Sequence, residues 1–273
     1  MAYIPLDWEK AINRECRRRG YSVETVKTYV YCINRFLRWI KKDLGHISKK
    51  DVRLFLENLS EKGLTGNTMN TYHMAIRFLF ANILDKKMWI DIKYSKVPQK
   101  LPGVLSIEEI RKVINCIKNE KHKLMIELMY GAGLRVSELI NIKIKDLVLE
   151  KRYGFVRAGK GNKDRLFIIP EKLVERISTK ILGRMPEEYL FISLRNKRYS
   201  AKSLQMILKN AGKKIKKRVH PHMLRHSFAT HLIESGCAVN EVQALLGHKS
   251  PETTMVYIHA SENMINIKSP LDL

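Results

Sequence analysis

Gly131-Ala132-Gly133-Leu134-Arg135-Val136-Ser137-Glu138-Leu139 sets an arginine between two helices. A helix of apolar period runs over about 121–133, the glycines mark its end, and another begins near Arg135. Arg135 stands beside Gly133 and Leu134 rather than on a charged face, which sets it apart from a solvated surface arginine. Upstream, Ser106 with Glu109 forms a capping box that opens a helix over 106–119. Downstream, 153–158 and 164–169 read as two short strands, the second being Asp-Arg-Leu-Phe-Ile-Ile before Pro170. Between them, Gly159-Lys160-Gly161-Asn162-Lys163 has the glycines a hairpin needs for positive φ. Helices return near 171–181, 201–217, 221–235, 239–246 and 251–260, with Pro221 suited to a first helical turn.

The first ninety residues are also helical in pattern. Ser22 is placed to cap a helix carrying Val23, Val26, Val30, Ile33, Phe36, Leu37 and Ile40 at i, i+3, i+4 spacing. Ser48 starts a second helix, with Asp51 in its first turn and Val52, Phe55, Leu56 and Leu59 on one face. After Gly63 and Gly66 a third carries Tyr72, Ile76, Leu79, Phe80 and Ile83. Residues 93–103 hold two prolines, a glycine and no helical period, which is a linker signature. The expected organisation is therefore a helical domain over 1–92, a linker over 93–103, and a second domain over 104–273. The fold class is mainly α with a small β-hairpin. No internal repeat at solenoid period is visible.

At 273 residues, two domains are the natural prior, and 45% hydrophobic content is enough to build their cores. No apolar run approaches the ~18 residues of a membrane span, and the N-terminus carries acids without an apolar core, unlike a signal peptide. The protein is expected in the cytoplasm. Cysteines at 16, 32, 116 and 237 form no C-x-x-C pair, which argues against both a zinc knuckle and a disulfide framework. The formal charge is +24. Residues 1–100 hold 20 Lys and Arg against 10 Asp and Glu, and the remainder 31 against 17, so both halves are basic. Such a chain fits a protein that grips a polyanion from two sides; a lysine-rich proteome bias is the plainer alternative.

Six residues define the candidate chemistry: Arg135, Lys160, His222, Arg225, His248 and Tyr257. Cleaving a phosphodiester without metal needs cations for the nonbridging oxygens, an in-line nucleophile and an acid for the leaving oxygen. Arginine suits the oxygens, because its planar fork donates two parallel hydrogen bonds and keeps its charge. Arg135 and Arg225 are the expected pair, stabilising the transition state. Tyr257 is the candidate nucleophile; a phenol of pKa about 10 needs neighbouring cations or a base. His248 adds to that field, and His222 is the candidate base. Only its spacing from His248 distinguishes Tyr257 from the other tyrosines. Lys160, at the hairpin tip, is the candidate general acid, with Lys163 its nearest competitor.

His222 and His226, at i, i+4, have a spacing compatible with zinc, but His-Met-Leu-Arg-His lacks the glutamate of His-Glu-x-x-His and sets Arg225 beside the site. No metal is expected. Gly159-Lys160-Gly161 lacks the Gly-Lys-Ser/Thr ending of a phosphate-binding loop, so no nucleotide cofactor is expected.

In order and spacing, Arg135, Lys160, His222-x-x-Arg225, His248 and Tyr257 resemble the six catalytic positions of the tyrosine recombinase/integrase family. Leu134 to Leu139, His226-Ser227-Phe228-Ala229-Thr230-His231-Leu232 and Leu246-Gly247-His248 are also similar to the family's flanking stretches. The nearest likeness is to the Xer-type recombinases of bacteria and archaea, and it runs over nearly the whole chain. The resemblance implies a SAM-like, core-binding module over 1–92 and a catalytic domain after it, together a C-shaped clamp around double-stranded DNA. It implies a 3′-phosphotyrosyl intermediate, a free 5′ hydroxyl, strand exchange through a Holliday junction, and no high-energy cofactor. Glu138 resembles a position that supports the active site, and His259 is family-typical without an assigned role. The tail from Ser261 resembles a segment that packs on a neighbouring protomer, which implies a homotetramer on two DNA sites (a dimer or monomer off DNA), with accessory proteins possible. A chain that begins directly with the core-binding domain points to resolution of chromosome or plasmid dimers. A mobile-element integrase, or a type IB topoisomerase that relaxes DNA as a monomer, is the alternative; a DNA-binding protein without catalysis fits less well.

Overall fold

Serines, among them Ser22, Ser48 and Ser106, begin helices where hydroxyls can satisfy the otherwise unpaired N–H groups of a first turn. Ser22 accepts from the Thr25 N–H at 3.1 Å. Ser48 and Ser106 accept from Asp51 and Glu109 at 3.3 Å each, and those carboxylates take the serines' own N–H groups at 2.8 and 3.2 Å. The computed structural model describes residues 7–86, 93–96, 103–157, 164–193, 197–247 and 267–272. The chain forms two units, Met1–Lys100 and Leu101–Leu273, each with its own apolar core.

The first unit contains α1 (Trp8–Arg18), α2 (Val23–Ile40), α3 (Lys49–Glu61) and α4 (Gly66–Phe78), the last continuing as a π-helical segment, Leu79–Ile83. The apolar period of α2 and α3 delivers Val26, Ile33, Phe36, Phe55 and Leu59 to the core, where the Phe36 and Phe55 rings meet at 5.1 Å. Val23, at the helix start, is instead 69% exposed. Helix α1, which the apolar pattern does not single out, is capped by Asp7 and buries Ile12 and Cys16.

The second unit is helical around a three-stranded antiparallel sheet. Its helices are α5 (Ile107–Asn115), α6 (Glu120–Gly131), α7 (Val136–Asn141), α8 (Glu171–Ile181), α9 (Ala201–Lys214), α10 (Pro221–Glu234) and α11 (Val239–Leu246). Its strands are β1 (Leu147–Val148), β2 (Tyr153–Val156) and β3 (Arg165–Ile168), with Tyr153 opposite Ile168 and Val156 opposite Arg165. Strand β1 is too short to show a period and was not expected. Helix α9 stops before 217 because the chain turns back, the Lys217 N–H donating to the Gly212 carbonyl at 2.9 Å. The expected helix over 251–260 lies outside the described residues.

Helix α6 is buried from Leu124 to Gly131 and packs on α10. Tyr130 and His231 close that contact with a buried hydrogen bond of 2.8 Å between the phenol and Nδ1. After α6, Gly133 adopts φ +59°, and a Cβ there would lie 2.5 Å from the Phe228 ring. Glycine is thus required twice over, by backbone sign and by space. Residues 267–272, in the tail expected to reach a neighbouring protomer, pack here on their own unit. Ser269 donates to the Gly131 carbonyl at 2.7 Å, and the Asp272 carboxylate accepts from the Glu171 and Lys172 N–H groups that open α8, at 2.9 and 3.2 Å. Among the described residues, no helix is long and apolar enough to cross a membrane.

Candidate active site

Arg135 is the residue before α7, so its backbone N–H points along the helix start and Glu138, one turn in, can accept it. That bond is 2.8 Å, and the Arg135 guanidinium returns to the other carboxylate oxygen at 2.6 Å. Glu138 is only 5% exposed, yet it is not left with a single partner. Arg165, on β3, donates from Nη2 to its Oε2 at 2.6 Å. Arg225, on α10, brings Nη1 to 3.6 Å of the same oxygen. Three guanidinium groups therefore surround one carboxylate, leaving two positive charges in excess.

The two buried arginines are held by carbonyls as well. Arg225 donates to the Gly133 carbonyl at 2.7 Å and to that of Leu246. Arg165 donates to the carbonyls of Leu245 and, at 3.2 Å, Leu166. Burial by itself would raise the Glu138 carboxyl, but the Arg165 charge and the hydrogen bonds from Arg165 and Arg135 bring it down to about 2. Burial, then the charges of Arg165 and Arg135, lower Arg225 to about 9, so it remains protonated at neutral pH. The repulsion behind that shift is relieved by an arriving anion. A unit charge about 4 Å from a cation gains on the order of 4 kcal/mol at an effective dielectric near 20, against under about 1 kcal/mol for an exposed pair. An anion placed against this cluster would therefore gain more than one placed against the surface lysines.

Arg135, His222 and Arg225 line one open cleft of about 1130 Å³. Lys209, Lys213, Lys216 and Arg218 line the same cleft, and no acidic residue is among its described walls. Its chemistry is that of a seat for a phosphate within a longer polyanion. His222 stands exposed in the first turn of α10. Burial, then the neighbouring His222 charge, lowers His226 below the usual imidazole value. Among the described residues no group of three or more His, Cys, Asp or Glu is placed to hold a metal ion.

Lys160, Lys163, His248, Tyr257 and His259 lie outside the described residues. Their flanks do not. Arg157 and Asp164, either side of the segment carrying Lys160, are paired at 3.1 Å. Leu245 and Leu246, just ahead of His248, present consecutive carbonyls to Arg165 and Arg225. Gly247 follows with φ +63°, and a Cβ there would fall 2.8 Å from the Arg165 side chain. Arg165 itself was not singled out from the sequence. The available signal was strand period: Arg165 alternates with Phe167 on the buried face of β3, where a charge demands a partner.

Arg225, buried close to Glu138, and half-buried Arg135 beside it open into one cleft walled by basic residues, an arrangement suited to the phosphates of a polyanion. Residues 104–264 match the Phage integrase family, and residues 8–90 match the phage integrase N-terminal SAM-like domain. Tyrosine recombinase XerA of Thermococcus kodakarensis is 37% identical over 246 residues, 87% of this chain and 85% of its own length. The crystal structure of XerA recombinase aligns with a TM-score of 0.51 at 28% identity, covering 94% of this chain and 95% of that one. XerH site-specific recombinase bound to difH substrate shares the fold, with a TM-score of 0.68 at 24% identity over 91% and 80%. The chain belongs to the phage integrase family and is a tyrosine-type site-specific DNA recombinase.

Proposed function

We propose that Arg135 and Arg225 receive the scissile phosphate of double-stranded DNA and that Tyr257 attacks it. The observation that carries this reading is that both guanidinium groups line one basic cleft beside the same carboxylate, Arg135 bonded to Glu138 at 2.6 Å and Arg225 at 3.6 Å from it. In the first step the Tyr257 oxygen bonds to phosphorus and the bond to the 5′ oxygen breaks. Lys160 supplies the proton that this oxygen needs, while His222 takes the phenol proton and His248 steadies the developing charge. In the second step the 5′ hydroxyl of a partner strand attacks phosphorus and releases the phenol. One phosphoester replaces another each time, so no external energy source is needed.

Residues 1–92 serve in this reading as the core-binding domain, 93–103 as the linker and 104–273 as the catalytic domain. Four protomers act on two DNA sites, two rounds of exchange pass through a Holliday junction, and the role is resolution of chromosome or plasmid dimers. DNA as partner is supported by the neighbour XerH, whose structure contains its substrate. The test uses nicked duplexes with randomised sequence, retaining only DNA that stays joined to the protein after denaturation. Wild-type protein should capture a defined site, whereas Tyr257→Phe should bind the same DNA and capture none. Adducts persisting in Tyr257→Phe would overturn the nucleophile assignment. Mixing two labelled copies of the recovered site should then yield exchanged strands, which DNA relaxation alone would not produce.

A further inference from the structure

Of the three arginines around Glu138, Arg135 and Arg225 line the cleft and Arg165 does not. Arg165 is 5% exposed, its guanidinium turned inward from β3. We infer that Arg165 is a positioning residue for strand cleavage: it saturates Glu138 and braces the end of α11, leaving the Arg225 guanidinium for the phosphate. This inference rests on the proposal that Arg135 and Arg225 hold the scissile phosphate.

The bonds around Glu138 explain why. Its Oε1 is taken by the Arg135 guanidinium, and its Oε2 by the Arg135 N–H at 2.8 Å and by Arg165 at 2.6 Å. Arg225, at 3.6 Å, is beyond hydrogen-bond range of an oxygen already served twice. Without Arg165 that oxygen gains an open lone pair and an under-compensated charge, and the nearest cation is Arg225. Its guanidinium is then drawn to the carboxylate and away from the cleft.

The same side chain acts on α11. Arg165 takes the Leu245 carbonyl and Arg225 the Leu246 carbonyl, so both arginines register on successive peptides of one helix end. Gly247 lets the chain pass against the Arg165 stem where any Cβ would collide. A role in stability alone accounts poorly for this residue. Buried ion pairs stabilise little more than apolar side chains of equal volume. Arg165 also carries a cost, because its buried Nε finds no acceptor among the described residues.

The test measures cleavage of a nicked duplex carrying the recovered site, with either a normal phosphate or a methylphosphonate at the scissile position. The methylphosphonate has no negative charge for the arginines to stabilise. Arg165→Met should slow cleavage at the phosphate by roughly 100-fold or more while DNA affinity stays within about three-fold. On the methylphosphonate the deficit should shrink to less than about ten-fold, because the step no longer depends on a freely placed Arg225. Arg165→Lys keeps the charge but has one nitrogen where the guanidinium reaches Glu138 and Leu245 from two, and should fall between. It carries the same comparison if Arg165→Met does not fold. An equal deficit on both substrates, a parallel loss of binding, or wild-type rate in Arg165→Lys would overturn the inference. Wild-type protein that forms no adduct at the phosphate would instead sink the underlying reading of the site.

Discussion

Glu138 holds a full negative charge at 5% exposure because three guanidinium groups converge on it. Its carboxyl, drawn down to about 2, lies below its usual value of 4.5. A carboxyl depressed on folding stabilises the native state above its unfolded value and loses that contribution as pH falls through the folded one. The stabilisation from Glu138 is thus complete above about pH 4.5 and fades toward pH 2. Glu138→Gln keeps the shape but leaves three cations without their anion. It should cost about 2–4 kcal/mol at neutral pH and flatten the fall in stability between pH 5 and pH 2, as followed by urea denaturation across that range. A wild-type acid profile in the variant would show that the carboxylate is not ionised in the fold.

At the scale of elements, the tight passage from α6 to α7 depends on Gly133. Gly→Ala at a permissive position gains up to about 1 kcal/mol by restricting the unfolded chain. Here φ is +59° and Phe228 occupies the space, so Gly133→Ala should instead destabilise by about 2–4 kcal/mol. Adding Phe228→Leu should recover part of that loss in the same denaturation measurement. Helix starts were legible in the sequence because Ser22, Ser48 with Asp51, Ser106 with Glu109 and Pro221 each do a local job. The hairpin strands were legible from their short apolar runs before Pro170. Strand β1 was not, since two residues carry no period, and α7, at six residues, shows only its start. Of the site, Arg135 and Arg225 stood out by their apolar neighbours. Arg165 did not, because a charge near the start of the expected strand 164–169, right after a basic loop, looks like a solvated strand end. Its partner Glu138 lies 27 positions away, and only folding brings the two together.

Across the molecule, two separate cores carry one continuous chemical character. Basic residues outnumber acidic ones two to one in residues 1–100 and nearly so in the rest, giving +24 in all. Charge of this kind exchanges with the counterions of DNA, so affinity should fall by at least about 10³-fold between 50 and 200 mM salt. Fluorescence anisotropy on a labelled duplex measures it, and a flat response would mean that most of these cations never meet phosphate.

The contact between Asp272 and α8 has a further consequence. Pro170, immediately before α8, offers no side chain to the helix start, and the carboxylate that serves it is made a hundred positions later. During synthesis the first turn of α8 therefore lacks this cap until residue 272 has been made.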